Sequence, residues 1–296
     1  MVGKHIKNKP KVPEYRVFHA EKKGHRCDII VVGANGTFYF ATFGTDATEE
    51  TIKNFTPEEI YPIDLYFFKA SEVRRLFVRY NPDTMTRFTD QPSSSTFVKR
   101  QGLKKDIHHQ YSDGIASLSS QLLRREIEMM EKLSKFPHPN IVEYRGVLTD
   151  PALGGRYVTD IVYKRYDCDL MELYLDKASR TPENARFILD GVTEGVRHLH
   201  LLGIAHHDLR PDNIFVKYEV QDSGVKKATE VVIGDFDAAM GFGSRDSFLK
   251  HAPAGIWWNK ALFRDGDVVD GAPDLHSLRM LEEWLWYWLR RKNSSK

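Results

Sequence analysis

The stretch from Thr181 to Asp237 constrains the fold more than any other, because four elements follow one another in a fixed order within fewer than sixty residues. Thr181 is a predicted N-cap, Pro182 takes the first helical position, Phe187, Ile188, Val192, Val196 and Leu199 form an apolar series, and Gly203 stops the helix. The polar loop "HHDLRPDN" (206–213) follows, with Asp208 and Asn213 five positions apart. A hairpin then leads into the strand "ATEVVIGDF" (228–236), closed by Asp235, Phe236 and Asp237. Taken singly, an aspartate and an asparagine in a loop make an Asx-turn, and "GDFD" after a strand makes a turn. Taken in this order they bring two acidic groups to one place. Hard oxygen ligands of this kind suit Mg²⁺ against a polyphosphate, with a separate carboxylate to orient a hydroxyl.

The rest of the chain can support such a site. Its 296 residues are enough for a two-lobed domain, and 41% hydrophobic with 28% charged residues is the composition of a globular chain. A formal net charge of +2 gives no field that would single out nucleic acid as a partner, and the basic run "KHIKNKPK" reads as a solvated tail. The two cysteines, Cys27 and Cys168, lack the spacing of a metal or disulfide framework. No apolar run reaches membrane-spanning length and the N-terminus lacks a signal-peptide core, so no membrane association and an intracellular, cytoplasmic or nuclear location are expected.

Strand signals dominate the first part. "CDIIVVGANGTFYFATF" (27–43) predicts a hairpin about Asn35-Gly36, "TDATEETIKNF" a helix capped at Asp46 or Thr48, and "TPEEI" a further helical turn. Strands are expected at 74–80, 84–89 and 95–101, separated by Asn81-Pro82-Asp83 and Gln91-Pro92-Ser93. A helix over 117–135 carries the stripe Leu118, Leu122, Leu123, Ile127, Met130 and Leu133. Two strands, "NIVEYRGVL" and "RYVTDIVYKRY", precede the helical remainder, whose last helix, "PDLHSLRMLEEWLWYWLRR", is apolar on most sides. A β-rich part followed by a helical part predicts an α+β, two-lobed protein.

At these residues the chain resembles the eukaryotic protein-kinase fold, with interruptions, from about residue 74 to its end. "HHDLRPDN" resembles the catalytic loop H-R-D-L-x-x-x-N, "DFD" the D-F-G motif, "REIEMMEKLSKFPHPNIVEYRGV" the αC helix and the strand after it, and "APDLHSL" the start of αF. The group resembled most is that of compact fungal protein-kinase-like proteins, which share D-F-D and stop soon after αF. The resemblance implies a bilobal fold with a β-rich N-lobe and a shortened helical C-lobe. It divides the chain into a basic tail (1–26), an N-terminal extension (27–73) as a possible partner surface, an N-lobe (74–163) and a C-lobe (164–296). It implies ATP and Mg²⁺ as cofactors. Lys99 would hold the α- and β-phosphates and pair with Glu126, Asp208 would accept the hydroxyl proton, Arg210 would approach the γ-phosphate, and Asn213 and Asp235 would bind metal. A hinge near Lys164 to Tyr166 would meet the base and Asp169 the ribose. Asp274 would fix the catalytic loop by accepting backbone hydrogen bonds.

Several positions depart from the kinase pattern. No glycine occurs between Gly44 and Gly102, so the turn "YNPDT" before Lys99 lacks the amide cradle that usually covers the phosphates. "VVGANGTFYFA" fits a glycine-rich pattern and would offer Lys53, but that residue lies in a predicted helix far in sequence from Glu126. His207 replaces an arginine that receives an activation-loop phosphate, which predicts activity independent of phosphate at Ser244 or Ser247. Asp237 replaces the glycine of D-F-G, which restricts the backbone there. The expected function is a serine/threonine protein kinase. The alternatives are an aminoglycoside- or choline-type small-molecule phosphotransferase, and a pseudokinase scaffold that binds nucleotide or a partner.

Overall fold

A computed structural model describes residues 15–33, 37–60, 62–67, 76–100, 117–149, 154–245, 255–262, 264 and 266–293. The chain divides into two compact units, one of residues 1–83, 100–121 and 147–160, the other of residues 84–99, 122–146 and 161–296.

The first unit is built on an antiparallel sheet of order β1–β2–β3–β4, comprising Arg16–Lys23, Arg26–Val32, Phe38–Gly44 and Tyr66–Phe67. The predicted hairpin forms between β2 and β3, pairing Arg26 with Gly44 through Val32 with Phe38, while its Asn35-Gly36 turn lies outside the described residues. The segment expected as a tail supplies β1 from Arg16 onward. Two short helices follow β3. Thr48 caps α1 (Glu49–Lys53) by accepting from Thr51 N. At α2 (Pro57–Ile60), Thr56 and Glu59 exchange bonds as a capping box: Thr56 N donates to Glu59 Oε2 at 2.7 Å and Glu59 N to Thr56 Oγ1 at 3.4 Å.

β2 is buried along nearly its whole length because the sheet is covered on both faces. Ile29 and Val31 pack with Tyr39, Ala41, Ile52 and Ile60, whereas Ile30 and Val32 pack with Phe38, Leu76 and Phe77. This is the alternation expected of a strand whose successive side chains point to opposite faces.

The strands expected at 74–80 and 84–89 do not form among the described residues. Arg79 makes a single bridge to Tyr157, and 82–84 is a turn. The backbone groups are committed elsewhere: Pro82 has no N–H to give a ladder, Asn81 Oδ1 takes the Asp83 N–H at 3.0 Å, and Thr86 spends its N–H and hydroxyl on Glu131, 45 positions away, at 2.6 and 3.0 Å. The strand expected at 95–101 forms as β5 (Thr96–Arg100) in a sheet of order β5–β7–β6, where β6 is Tyr144–Thr149 and β7 is Val158–Lys164.

α3 spans Leu118–Leu133, and its part in the second unit buries Leu123, Ile127, Met130 and Leu133, as its stripe predicted. β8 (Cys168–Asp169) leads into α4 (Leu170–Leu175), and α5 spans Pro182–Leu201 with Thr181 accepting from Asn184 N. Phe187 faces solvent. The helix instead buries Ile188, Val192, Gly195, Val196 and Leu199 against β11 (Lys226–Ile233), which pairs with β10 (Ile214–Val220). Gly191 and Gly195 make this close approach possible: a Cβ at Gly191 would meet Val231 Cγ1 at 2.3 Å, and one at Gly195 would meet Ile233 Cδ1 at 2.8 Å. The short strands β9 (Ile204–Ala205) and β12 (Met240–Gly241) pair with each other. The last helix, α6 (Ala272–Asn293), buries Met280, Leu281, Leu285 and Leu289 but exposes Leu275, Arg279, Glu282, Glu283 and Tyr287, so it is amphipathic rather than enclosed. Among the described residues no helix is long and apolar enough to cross a membrane.

Candidate active site

Every side chain described in this subsection belongs to the second unit. Lys99 stands near the end of β5, and its ammonium donates to both Glu126 oxygens at 2.7 Å and to Asp235 Oδ1 at 2.5 Å. Glu126 comes from the buried face of α3 and is 2% exposed. An isolated carboxylate there would be strongly disfavoured, so the ammonium stabilises its ionised form. Burial by itself would pull the Lys99 ammonium down. The charges of Glu126, Asp235 and Asp237 outweigh burial and hold it well above its ordinary range.

Asp235 reaches this cluster from an unusual backbone. Its φ of 63° is left-handed, and it ends β11 and begins the 3-10 turn Phe236–Ala238. The same turn buries Phe236 completely, where it meets the His206 ring edge-on at 4.9 Å between centroids. It also buries Asp237, whose carboxylate lies within 4.8 Å of those of Glu126 and Asp235. Three oxygen donors and one ammonium therefore share a small volume.

The loop after β9 is organised from α6. Asp274, fully buried, accepts the backbone N–H groups of His206 at 2.8 Å and His207 at 2.9 Å, and bonds His200 Nε2 at 3.0 Å. Burial would raise its carboxyl. The hydrogen bond from His200, the neighbouring His206 and His207 and the His206 N–H outweigh burial and hold it below the ordinary value. This grip supports His207 in the left-handed region at φ 62°.

His206 is fixed at both ring nitrogens. Nδ1 accepts from Asp208 N at 3.3 Å, which leaves Nε2 to donate to the Gly234 carbonyl at 3.0 Å. The loop is thereby tied to the strand that ends in Asp235. Asn213 Nδ2 donates to the Asp208 carbonyl at 2.7 Å, and the Asn213 carbonyl accepts from Gly234 N at 2.9 Å. With its amide nitrogen committed, Asn213 presents Oδ1 as its open acceptor. The sequence reading paired Lys99 with Glu126 and had Asp274 accept backbone hydrogen bonds from the loop of Asp208 and Asn213; the structure places Lys99 against Glu126 and also against Asp235, and Asp274 against the His206 and His207 N–H groups.

Arg210 lies 3.8 Å from Asp208 Oδ1 and 3.5 Å from Asp212 Oδ2, and its Nε is shielded from solvent without a hydrogen-bond partner. The carboxylates of Glu126, Asp235 and Asp237, within 4.8 Å of one another, are hard oxygens of the kind that suit magnesium. The hinge residues are engaged elsewhere. Lys164 Nζ bonds Glu230 at 2.6 Å and sits 5.5 Å over the Tyr166 ring, which stacks on Phe215. Asp169 caps α4 by accepting from Glu172 N at 2.7 Å.

Two participants escaped the sequence reading. His200 carries no motif of its own, and only its place in the last turn of α5 hints that it can reach Asp274. Tyr163, buried at the end of β7, donates its hydroxyl to Glu126 Oε1 at 2.7 Å. A polar aromatic in a buried run was its only signal, because a buried phenol needs a partner.

The profile for the protein kinase domain matches residues 98–258, more than half of the chain. A Dictyostelium discoideum protein named as a probable myosin light chain kinase is 29% identical over 125 residues, covering 42% of this chain and 32% of that protein. A sporulation protein kinase of Schizosaccharomyces pombe is 29% identical over 129 residues, covering 43% of this chain and 22% of the relative. A serine/threonine-protein kinase of Saccharomyces cerevisiae is 33% identical over 119 residues, covering 39% and 9%. The chain thus aligns with a third or less of each of these relatives. Among solved structures, the yeast RNA polymerase II CTD kinase complex CTDK-1 aligns with TM-score 0.44 and 19% identity, covering 56% of this chain and 50% of that one.

Proposed function

Because the chain belongs to the protein kinase family, we propose that it is an ATP- and Mg²⁺-dependent phosphotransferase acting on serine or threonine hydroxyls of a protein. The observation that carries this reading is the Lys99 ammonium held between Glu126 and Asp235. A cation so fixed meets the α- and β-phosphates without reorganising, which is where most phosphoryl-transfer catalysis originates. Asp235 and Asn213 would hold magnesium, which when bound neutralises the phosphate charge. Asp208, its backbone tied to His206, orients the acceptor hydroxyl and takes its proton. Arg210, whose Nε lies between the Asp208 and Asp212 carboxylates, would approach the transferring group, and its guanidinium fork recognises two oxygens where lysine would present one point charge. The 164–166 segment serves the base through its backbone, since the Lys164 and Tyr166 side chains are otherwise engaged, and Asp169 serves the ribose.

A second reading has its own support. No glycine lies between Gly44 and Gly102, so the stretch leading into β5 has no glycine turn, and a roof over the phosphates is the part of a kinase that transfer most needs after its ion pair. A pseudokinase that binds nucleotide, with residues 27–73 as a partner surface, accommodates that feature.

Purified protein incubated with γ-labelled ATP, Mg²⁺ and a panel of proteins and amino alcohols distinguishes these readings, with Asp208→Asn and Asp235→Asn as controls. Label on protein in the wild type and in neither variant supports the proposal. Label on an amino alcohol supports a small-molecule phosphotransferase, and nucleotide binding without transfer supports the pseudokinase.

A further inference from the structure

The helix that carries Glu126 is fastened at two levels by neutral donors, independently of Lys99. On β7, Tyr163 donates to Glu126 Oε1 at 2.7 Å. On the neighbouring strand β6, Tyr144 donates to Glu131 Oε1 at 2.7 Å. Thr86 adds its N–H and hydroxyl to Glu131 at 2.6 and 3.0 Å. The spacing fits the sheet: residues 126 and 131 are about 7.5 Å apart along a helix axis at 1.5 Å per residue, and the two tyrosine rings lie 6.1 Å apart. Two phenols on adjacent strands therefore meet two carboxylates on one helix.

We infer that Tyr163 and Tyr144 are positioning residues that hold α3, and with it Glu126, against Lys99, so that the ion pair of the site is assembled without a partner or a phosphate group. In kinases the lysine–glutamate pair must be formed for transfer, and movement of the helix that bears the glutamate controls it. Here that freedom is opposed by bonds to charged acceptors, which are about twice as strong as neutral ones. Burial, then the charge and hydrogen bond of Glu126, push the Tyr163 hydroxyl well above its ordinary range, in keeping with its place as a donor to Glu126. The consequence for transfer rests on the phosphotransferase reading, whereas the geometry is testable without activity.

The experiment uses the full chain as wild type, Tyr163→Phe, Tyr144→Phe and the double variant, each of which keeps its ring and loses one oxygen. Amide hydrogen exchange is followed by mass spectrometry over 118–133 and 182–201, and acylation of Lys99 by acetic anhydride is followed over time. The expected result is exchange in 118–133 and labelling of Lys99 that rise about tenfold in each single variant, the ratio expected for one hydrogen bond to a charged group, and further in the double variant, with 182–201 unchanged. Unaltered exchange in 118–133 and unaltered labelling in the double variant would overturn the inference, and so would an equal rise in 182–201, since that reports general loosening. If transfer is absent while the exchange and labelling shift as stated, the inference stands and the phosphotransferase reading fails.

Discussion

Substituting Asp274→Asn tests the bracing of the catalytic loop with almost no change in shape. The carboxylate is fully buried and accepts three hydrogen bonds, from His206 N, His207 N and His200 Nε2. Asparagine has one acceptor oxygen where aspartate has two, so one of the two backbone N–H groups would face an NH₂ donor. A buried donor left without an acceptor costs about 1–3 kcal/mol, and the bond that survives loses its charge assistance, worth a further ~1 kcal/mol. The sum is roughly 3 kcal/mol, against a total stability of about 5–15 kcal/mol for a folded protein. At about 2–4 °C per kcal/mol for a chain of this size, the thermal midpoint should fall by roughly 6–12 °C. Urea denaturation followed by tryptophan fluorescence and a differential scanning experiment give the two numbers independently. A loss below about 0.5 kcal/mol, the range of an ordinary surface substitution, would refute the claim that Asp274 braces this loop. In the phosphotransferase reading the same variant also loses transfer, because Asp208 hangs on the backbone that Asp274 holds.

Other expectations follow from single features. Burial holds the His207 imidazole below its ordinary value of 6.5, and the opposing charge of Asp274 does not reverse this. An imidazole kept neutral contributes stability that is complete above pH 6.5 and is lost as pH falls toward the folded-state value. The urea midpoint should therefore decline below pH 6.5, and decline less in His207→Asn, which tolerates the left-handed backbone; identical pH profiles would contradict this. Gly195→Ala forces a methyl to within 2.8 Å of Ile233 Cδ1 and should cost about 1–3 kcal/mol in urea denaturation. Lys99→Met leaves Glu126 buried without its cation and should cost about 3–5 kcal/mol while removing any stabilisation by ATP. In the wild type, ATP with Mg²⁺ at 100 times its Kd should add about 2.7 kcal/mol of stability, and no thermal shift at millimolar nucleotide would contradict both the kinase and the nucleotide-binding pseudokinase readings.

Much of the site could be read from the chain because its parts are local. Asp208 and Asn213 share one loop, Thr181 and Gly203 bound one helix, and Asp235 to Asp237 follow one strand, so spacing alone placed each on its element. The hairpin of β2 and β3 and the capped α1 and α2 were legible for the same reason. The strands expected at 74–80 and 84–89 were misread from β-prone residues such as Phe77, Val78 and Thr86, and only the tertiary acceptor Glu131, 45 positions from Thr86, reveals where the Thr86 N–H goes. Likewise no local pattern could show that Phe187 faces water while Gly191 and Gly195 face β11, since the choice is made by the shape of the strand beneath the helix.

By itself, then, the sequence determined the family and the cast of charged residues, because each motif is a short run whose chemistry does not depend on distant contacts. Tertiary structure alone decided what the charges touch. Lys99 meets Asp235 across 136 positions of sequence, Asp274 reaches back 68 positions to hold His206, and Tyr163 finds Glu126 across 37. Pairings at such separations are set by how sheets and helices pack, and packing responds to the shape and volume of every neighbour at once.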